Sequence, residues 1–166
     1  MYKLILLFFL LNLSGCGEAL SGSVQPISDV DSEKHSPLKA EFLIKNQHGQ
    51  EVKSITLGEE LTLQIRVSNL SALAVLYRVT GPGHDFFIKK SGELVWSKFH
   101  GMMFAQVISE RTIAAHEILL LEAKWSGMDN QGKQVSPGEY EVEPRIVLFF
   151  NDKRLAAPSA QVITVQ

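Results

Sequence analysis

The sequence predicts an all-β protein built from antiparallel sheets packed face to face. Three observations carry that prediction. From residue 40 onward apolar and polar residues alternate with period two. Turn signals centred on glycine divide the alternation into short runs. No segment of ten or more residues shows a clean 3.6-residue period, so no amphipathic helix is expected.

The runs can be taken in chain order. In "LTLQIRVSN", Leu61, Leu63, Ile65 and Val67 oppose Thr62, Gln64, Arg66 and Ser68, the pattern of a half-buried strand. "AVLYRV" sets Val75, Tyr77 and Val79 on one face, and "HEILLLEAKW" does the same for Leu119, Leu121, Ala123 and Trp125. In "EYEVEPRIVLFF", Tyr140, Val142, Ile146, Leu148 and Phe150 oppose Glu139, Glu141, Glu143 and Arg145. Pro144 interrupts this last run. It has no amide hydrogen for a ladder, so an edge or a bulge is expected there. Turns are expected at "NQHGQ" (46–50), "GPGH" (81–84), "KKSGE" (89–93) and "DNQGK" (129–133). Seven to eight short strands with such turns fit an immunoglobulin-like antiparallel β-sandwich, a pattern that barrels share. Tyr140 then falls where such sandwiches carry a tyrosine corner, its hydroxyl bonding back to nearby backbone.

The N-terminus, "MYKLILLFFLLNLSGCGE", places Lys3 before an apolar run over residues 4–13 that is broken only by Asn12. The run is shorter than the roughly 20 residues needed to cross a bilayer. It fits a secretory signal peptide. The following "LSGC" is similar to the lipobox of bacterial lipoproteins, which implies lipidation of Cys16 as the first mature residue. The expected organisation is a signal peptide (1–15), a lipidated cysteine with a flexible tether (16–39) and one β-sandwich domain (40–166). Cys16 is the single cysteine, so the mature chain relies on a core and not on disulfides. The lipid bilayer is the partner implied for acylated Cys16, and the cell envelope is the implied location. With Gly17 following the cysteine, known sorting patterns place such a chain on the outer membrane, facing the periplasm, in a Gram-negative host. Net charge is −2 with no basic run, which argues against nucleic acid as a partner.

"WSGMDNQGKQVSPGEYEV" (125–142) invites a metal reading. A helix-flanked calcium loop with Gly132 at position 6 would have Gly127 at position 1, Asp129 at 3, Gln131 at 5 and Gly138 at 12. Two key carboxylates are missing and the flanks read as strands, so the loop fails the spacing. Asp129 is expected instead to stabilise an Asx-type turn. The histidines at 35, 48, 84, 100 and 116 are scattered, without metal-ligand spacing. His84 and Asp85 are sequence neighbours, and adjacent strand residues face opposite ways. No nucleophile elbow or phosphate loop is present. No cofactor or metal is expected, and the chain is not read as an enzyme. "NLS" (69–71) formally matches a glycosylation acceptor, yet Asn69 is better read as a strand end bonding turn backbone.

The segment that best fits a contact surface is "WSKFHGMMF" (96–104), since aromatic and methionine-rich loops are enriched at protein contacts. Trp96 and Phe104 are read mainly as core caps. Phe99, Met102 and Met103 form the candidate protein-contact loop.

These pieces occur in a recognisable order. "VSN" with Ser71 (67–71) precedes "GHDFFI" (83–88), "SGELVWSKFHGMMF" (91–104), Trp125 and "DNQGKQVSPGEYEV" (129–142). Over roughly residues 60–150 this resembles the intracellular proteinase inhibitor family typified by BsuPI. One departure is "AAHE" (114–117), where the family has Pro-Gly before the tryptophan strand. The resemblance implies the sandwich fold and a protein partner, either a protease to be inhibited or another envelope protein. It carries no reactive-site residue onto this chain.

Overall fold

The computed structural model describes residues 36–166, and the expected signal peptide, Cys16 and most of the tether lie outside that range. Ten strands are formed among the described residues. They are β1 (Leu38–Lys45), β2 (Ser54–Ile55), β3 (Leu61–Asn69), β4 (Val75–Lys90), β5 (Glu93–Ser97), β6 (Ile108–Ile113), β7 (Ile118–Trp125), β8 (Gly138–Phe150), β9 (Lys153–Arg154) and β10 (Gln161–Val165). Eight of them have five residues or more, which matches the expected number, while β2 and β9 are two-residue pieces. β1 begins two residues ahead of the domain start expected at residue 40, and buried Leu38 anchors it.

Two sheets result. The smaller has the order β1-β3-β7 and the larger β2-β10-β8-β4-β5, with β6 also on β4 and β9 on β8. All pairings are antiparallel except β2 with β10, where a parallel contact joins Ser54–Ile55 to Thr164–Val165. The inward faces are the apolar sets read from the alternation. Leu61, Leu63, Ile65 and Val67 of β3 are fully buried, and Tyr140, Val142, Ile146 and Leu148 of β8 face them across one core. Two aromatic pairs bridge the sheets. Phe42 lies 5.9 Å from Phe86, and Trp125 lies 6.0 Å from Tyr140, centroid to centroid. Each such ring buries about 150–250 Å², an upper contribution of about 4–6 kcal/mol at 25 cal/mol per Å².

The 125–142 stretch closes one end of this core. Trp125 Nε1–H donates to Met128 O at 2.8 Å, and Tyr140 O–H donates to Ser136 O at 2.6 Å, four residues upstream. The tyrosine corner is therefore formed. The Lys90 ammonium adds bonds to Ser136 Oγ, Pro137 O and the Tyr140 hydroxyl, and sits 4.9 Å from the Tyr140 ring centre. Asp129 is the turn stabiliser expected: its Oδ1 accepts the amides of Gln131 and Lys133 at 2.8 and 2.9 Å. Asn69 is buried and its amide caps Leu73, Ile113 and Ala114 carbonyls, so it fixes the turn as read. Gln64 departs from the alternation. It points to the polar face yet is buried, because Lys45 and Glu122 close over it with hydrogen bonds.

Pro144 lies in a strand with a neighbour on one side only at that level. β10 pairs with β8 up to Val142, and β9 pairs from Phe149. Opposite Pro144 stands Phe86, whose carbonyl accepts Lys98 N–H and so faces away from β8. Phe86 and Pro144 thus form a non-hydrogen-bonded pair, and the missing amide hydrogen falls on the open side.

The expected turn at "GPGH" is corrected by the structure. Residues 81–84 lie inside the sixteen-residue β4. Val79 pairs with Leu148 and pairing resumes at His84 with Ile146, so residues 80–83 oppose Val147 alone. Gly81 and Gly83 adopt φ of 56° and 75°, left-handed values that sequence reading assigns to a chain reversal. Here they absorb surplus residues as an extended β-bulge, because flanking β-formers continue the strand on both sides. A Cβ on Gly83 would lie 2.5 Å from Val79 Cγ2. Gly83→Ala is therefore expected to cost about 2–4 kcal/mol, from left-handed strain plus overpacking. Chemical denaturation checks this, and Gly132→Ala, with open space around its Cβ, is expected to show strain alone.

Candidate functional site

β5 and β6 both pair with the same edge of β4, β5 with Phe87–Lys90 and β6 with Val75–Thr80. The chain joining them, residues 98–107, therefore passes the bulge at 80–83. The loop begins with two tight turns, His100 N–H donating to Ser97 O at 3.2 Å and Met102 N–H to Phe99 O at 3.0 Å. Gly101, with φ 70°, allows the second turn.

A ring cluster forms the base of the loop. Phe99 packs edge-on against His84 at 5.9 Å and against Phe104 at 5.0 Å, and His84 meets Phe86 at 5.8 Å. Lys98 Nζ lies 2.8 Å from His84 Nε2, donates to Glu122 O at 2.5 Å and stands 4.9 Å from the Phe99 ring centre. With the ring proton on His84 Nδ1 facing Pro82 O, Nε2 accepts from the Lys98 ammonium. Burial, then the charge of Lys98, holds the His84 pKa below its ordinary value of 6.5, against the opposing pull of the Pro82 and Glu122 carbonyls and Asp85. Burial likewise lowers Lys98, with Asp85 and Glu122 opposing.

Above this base the loop is apolar and open. Met103 is 98% exposed, Met102 61%, Val107 and Ile108 62% each, and Phe104 42%. The candidate residues thus divide: Met102 and Met103 are tips, while half-buried Phe99 is their support. The core-cap reading holds for Trp96, which packs against the core, and is corrected for Phe104. Phe104 stays at the surface because bulge residue Gly81 and the ring of Phe99 occupy the inward side.

The geometry gives Ser97 and His84 no shared proton path. Ser97 Oγ contacts Asp85 Oδ2 at 3.3 Å, whereas the His84 nitrogens are taken by Lys98 and Pro82. Among the described residues no three His, Cys, Asp or Glu side chains gather as a metal set. A groove of about 570 Å³ lies elsewhere, beside Leu73, Leu76, Arg78, Phe149 and Asp152. Sequence reading missed the His84–Lys98–Phe99 cluster because a strand spans what looked like a turn. The glycines flanking Pro82 were its one visible signal.

The fold is thus an antiparallel β-sandwich with an apolar loop exposed on one sheet edge. The family model described as intracellular proteinase inhibitor, BsuPI, matches residues 50–148. The chain belongs to that family. No curated protein matches it. Among solved structures it is similar to the Pseudomonas fluorescens alkylpurine DNA glycosylase AlkC bound to DNA, at 14% identity and TM-score 0.41, covering 79% of this chain and 31% of that one. The CARDB domain of a Pyrococcus furiosus protein in complex with di-metal ions gives 11% identity and TM-score 0.41, over 77% of this chain and 93% of that one. A Listeria innocua β-glucosidase gives 16% identity and TM-score 0.38, over 76% and 16%. At such values the activities in those descriptions remain those proteins' own.

The depressed His84 pKa sets a sign for pH dependence. The folded chain takes up the His84 proton less readily than the unfolded chain, so its share of stability is present above pH 6.5 and is lost as pH falls below 6.5 toward the lowered value. An NMR titration of His84 is expected to give a midpoint below 6.5, and His84→Gln to flatten the acid-side loss of stability relative to the parent chain. A midpoint at or above 6.5 contradicts the cluster as described.

Proposed function

We propose that this chain is a lipid-anchored cell-envelope protein whose BsuPI-family sandwich binds and inhibits a proteinase through the 98–107 loop. The observation that carries the reading is position: the family match at residues 50–148 contains the whole loop, and the loop holds the most exposed large apolar side chain among the described residues, Met103. Inhibition by blocking needs complementary shape on a preorganised surface and no catalytic group. The edge-on His84–Phe99–Phe104 cluster supplies the preorganisation. Met102 and Met103 supply adaptable apolar contacts, the role flexible thioethers suit.

A second reading rests on a specific conflict. The family description says intracellular, whereas "LSGC" at 13–16 is similar to an exported lipobox. On that reading the same loop docks the domain onto another envelope protein without inhibiting anything.

Titration of the purified chain against a panel of serine proteinases separates the two. Stoichiometric inhibition that weakens roughly tenfold, about 1.4 kcal/mol, in Met102→Ala with Met103→Ala supports the inhibitor. Inert behaviour across the panel, with crosslinking in cells to a non-proteinase, supports docking. Anchoring has its own test: Cys16→Ser is expected to move the chain from the membrane fraction to the soluble fraction. Unchanged membrane association in that variant removes the lipidation proposal.

A further inference from the structure

The strand edges of this domain are treated unequally. On the outer side of β5, Asn130 N–H donates to Val95 O at 3.0 Å and Ser97 N–H donates to Asn130 Oδ1 at 2.9 Å. On β7, the Lys98 ammonium occupies Glu122 O and leaves the Ile118–Leu120 part of that edge open, but that part does not adjoin the 98–107 loop in the chain. On β1, Val52 N–H donates to Ile44 O at 3.0 Å and Gln161 Nε2 to Phe42 O at 2.9 Å. β2 and β9 are too short to template a strand. β6 carries no such contact on its outer side among the described residues. It has six residues, pairs with β4 alone among the described residues, and exposes Ile108, Glu110, Arg111 and Thr112.

The ladder fixes which backbone groups point outward. Leu155 N–H donates to Leu148 O at 2.8 Å, so the polar groups of Leu148 face β9 and not β4. Val79, opposite Leu148, therefore turns its own N–H and C=O away from β8 and toward Ser109. Alternation then leaves the N–H and C=O of Ile108, Glu110 and Thr112 on the free edge. Uncovered strand edges of this kind pair with other chains unless they are blocked.

A second copy of this chain fits the edge poorly. Twofold pairing of two antiparallel β6 strands keeps each face on its own side, so opposed residues must have numbers of equal parity. The two such registers nearest full overlap set Glu110 against Glu110 or Arg111 against Arg111, and like charges directly opposed destabilise a sheet. A different chain meets no such conflict. Arg78, the ladder partner of Glu110, is committed to Asp152, so Glu110 holds no ion pair among the described residues. The edge is also continuous with the segment from Met102 to Ile108, which is apolar except for Gln106.

We propose that the β6 edge accepts an extended segment of the bound partner as an added strand, with a basic residue opposite Glu110 and an apolar residue beside Ile108. This rests on the reading of the adjoining loop as a contact surface and adds the mode of recognition, backbone pairing with charge selection.

The probe is a displayed library of random seven-residue peptides, selected on the full chain. The expected winners carry lysine or arginine between β-branched residues and slow amide exchange at Ile108, Glu110 and Thr112. Glu110→Pro removes an outward amide and spares the β4 ladder, so it is expected to weaken capture roughly tenfold, about one net hydrogen bond. Glu110→Gln is expected to keep binding and lose the preference for basic peptides. If Glu110→Pro disturbs folding, the exchange measurement on the unaltered chain decides. No enriched peptide, equal capture by Glu110→Pro, or a concentration-dependent dimer abolished by Glu110→Pro overturns the proposal. Peptide capture without proteinase inhibition supports the edge and removes only the proteinase reading. A proteinase bound equally well by Glu110→Pro removes only the edge.

Discussion

Strand β4 is hydrogen-bonded to β8 on one side and to both β5 and β6 on the other, and the bulge at 80–83 makes that double service possible. A regular sixteen-residue strand would hold its two partners in one continuous plane. The surplus residues bend β4, and the loop between β5 and β6 leaves the sheet where the bend falls. His84, the first residue to regain the β8 register, meets Phe99 and Lys98 of that loop. Phe104 returns over Gly81. The surface at Met102 and Met103 is thus a consequence of two glycines placed where left-handed backbone is needed, in the middle of a strand.

Most of the fold was legible because it rests on period two. The buried apolar sets of β3 and β8 and of the first half of β4 are those the alternation names, and Tyr140 bonds back to Ser136 as its place early in a strand, just after Pro-Gly, suggests. The misreadings share one physical cause. Glycine reports the local dihedral it permits, not whether the strand resumes beyond it, so "GPGH" looked like a reversal. Phe104 looked like core because phenylalanine usually is, and nothing in the sequence shows that Phe99 and Gly81 already fill the inward space. Gln64 is similar: its burial depends on Lys45 and Glu122, which reach it from two other strands.

The candidate surface was only half legible. Methionine and aromatic enrichment pointed to the loop at 98–107, and the structure separates its parts into support and tip. The His84 cluster was hidden, since its members meet only when a strand spans "GPGH", and its electrostatics follow from burial that no local pattern encodes. The open β6 edge was hidden for the same reason. An edge is defined by what the other strands do, and here they leave β6 without an outer contact among the described residues, while Asn130, Lys98 and Gln161 reach the edges of β5, β7 and β1.

The central claim is that this BsuPI-family sandwich meets its partner on the β4 side, where the loop emerges. Site-specific photocrosslinking tests it most directly. A photoreactive phenylalanine placed at Met103, or in a second chain at Lys124 on β7, is irradiated in the presence of an inhibited proteinase or, failing inhibition, in intact cells. The account expects a partner adduct from position 103 and none from position 124. An adduct from position 124 with none from 103 contradicts it.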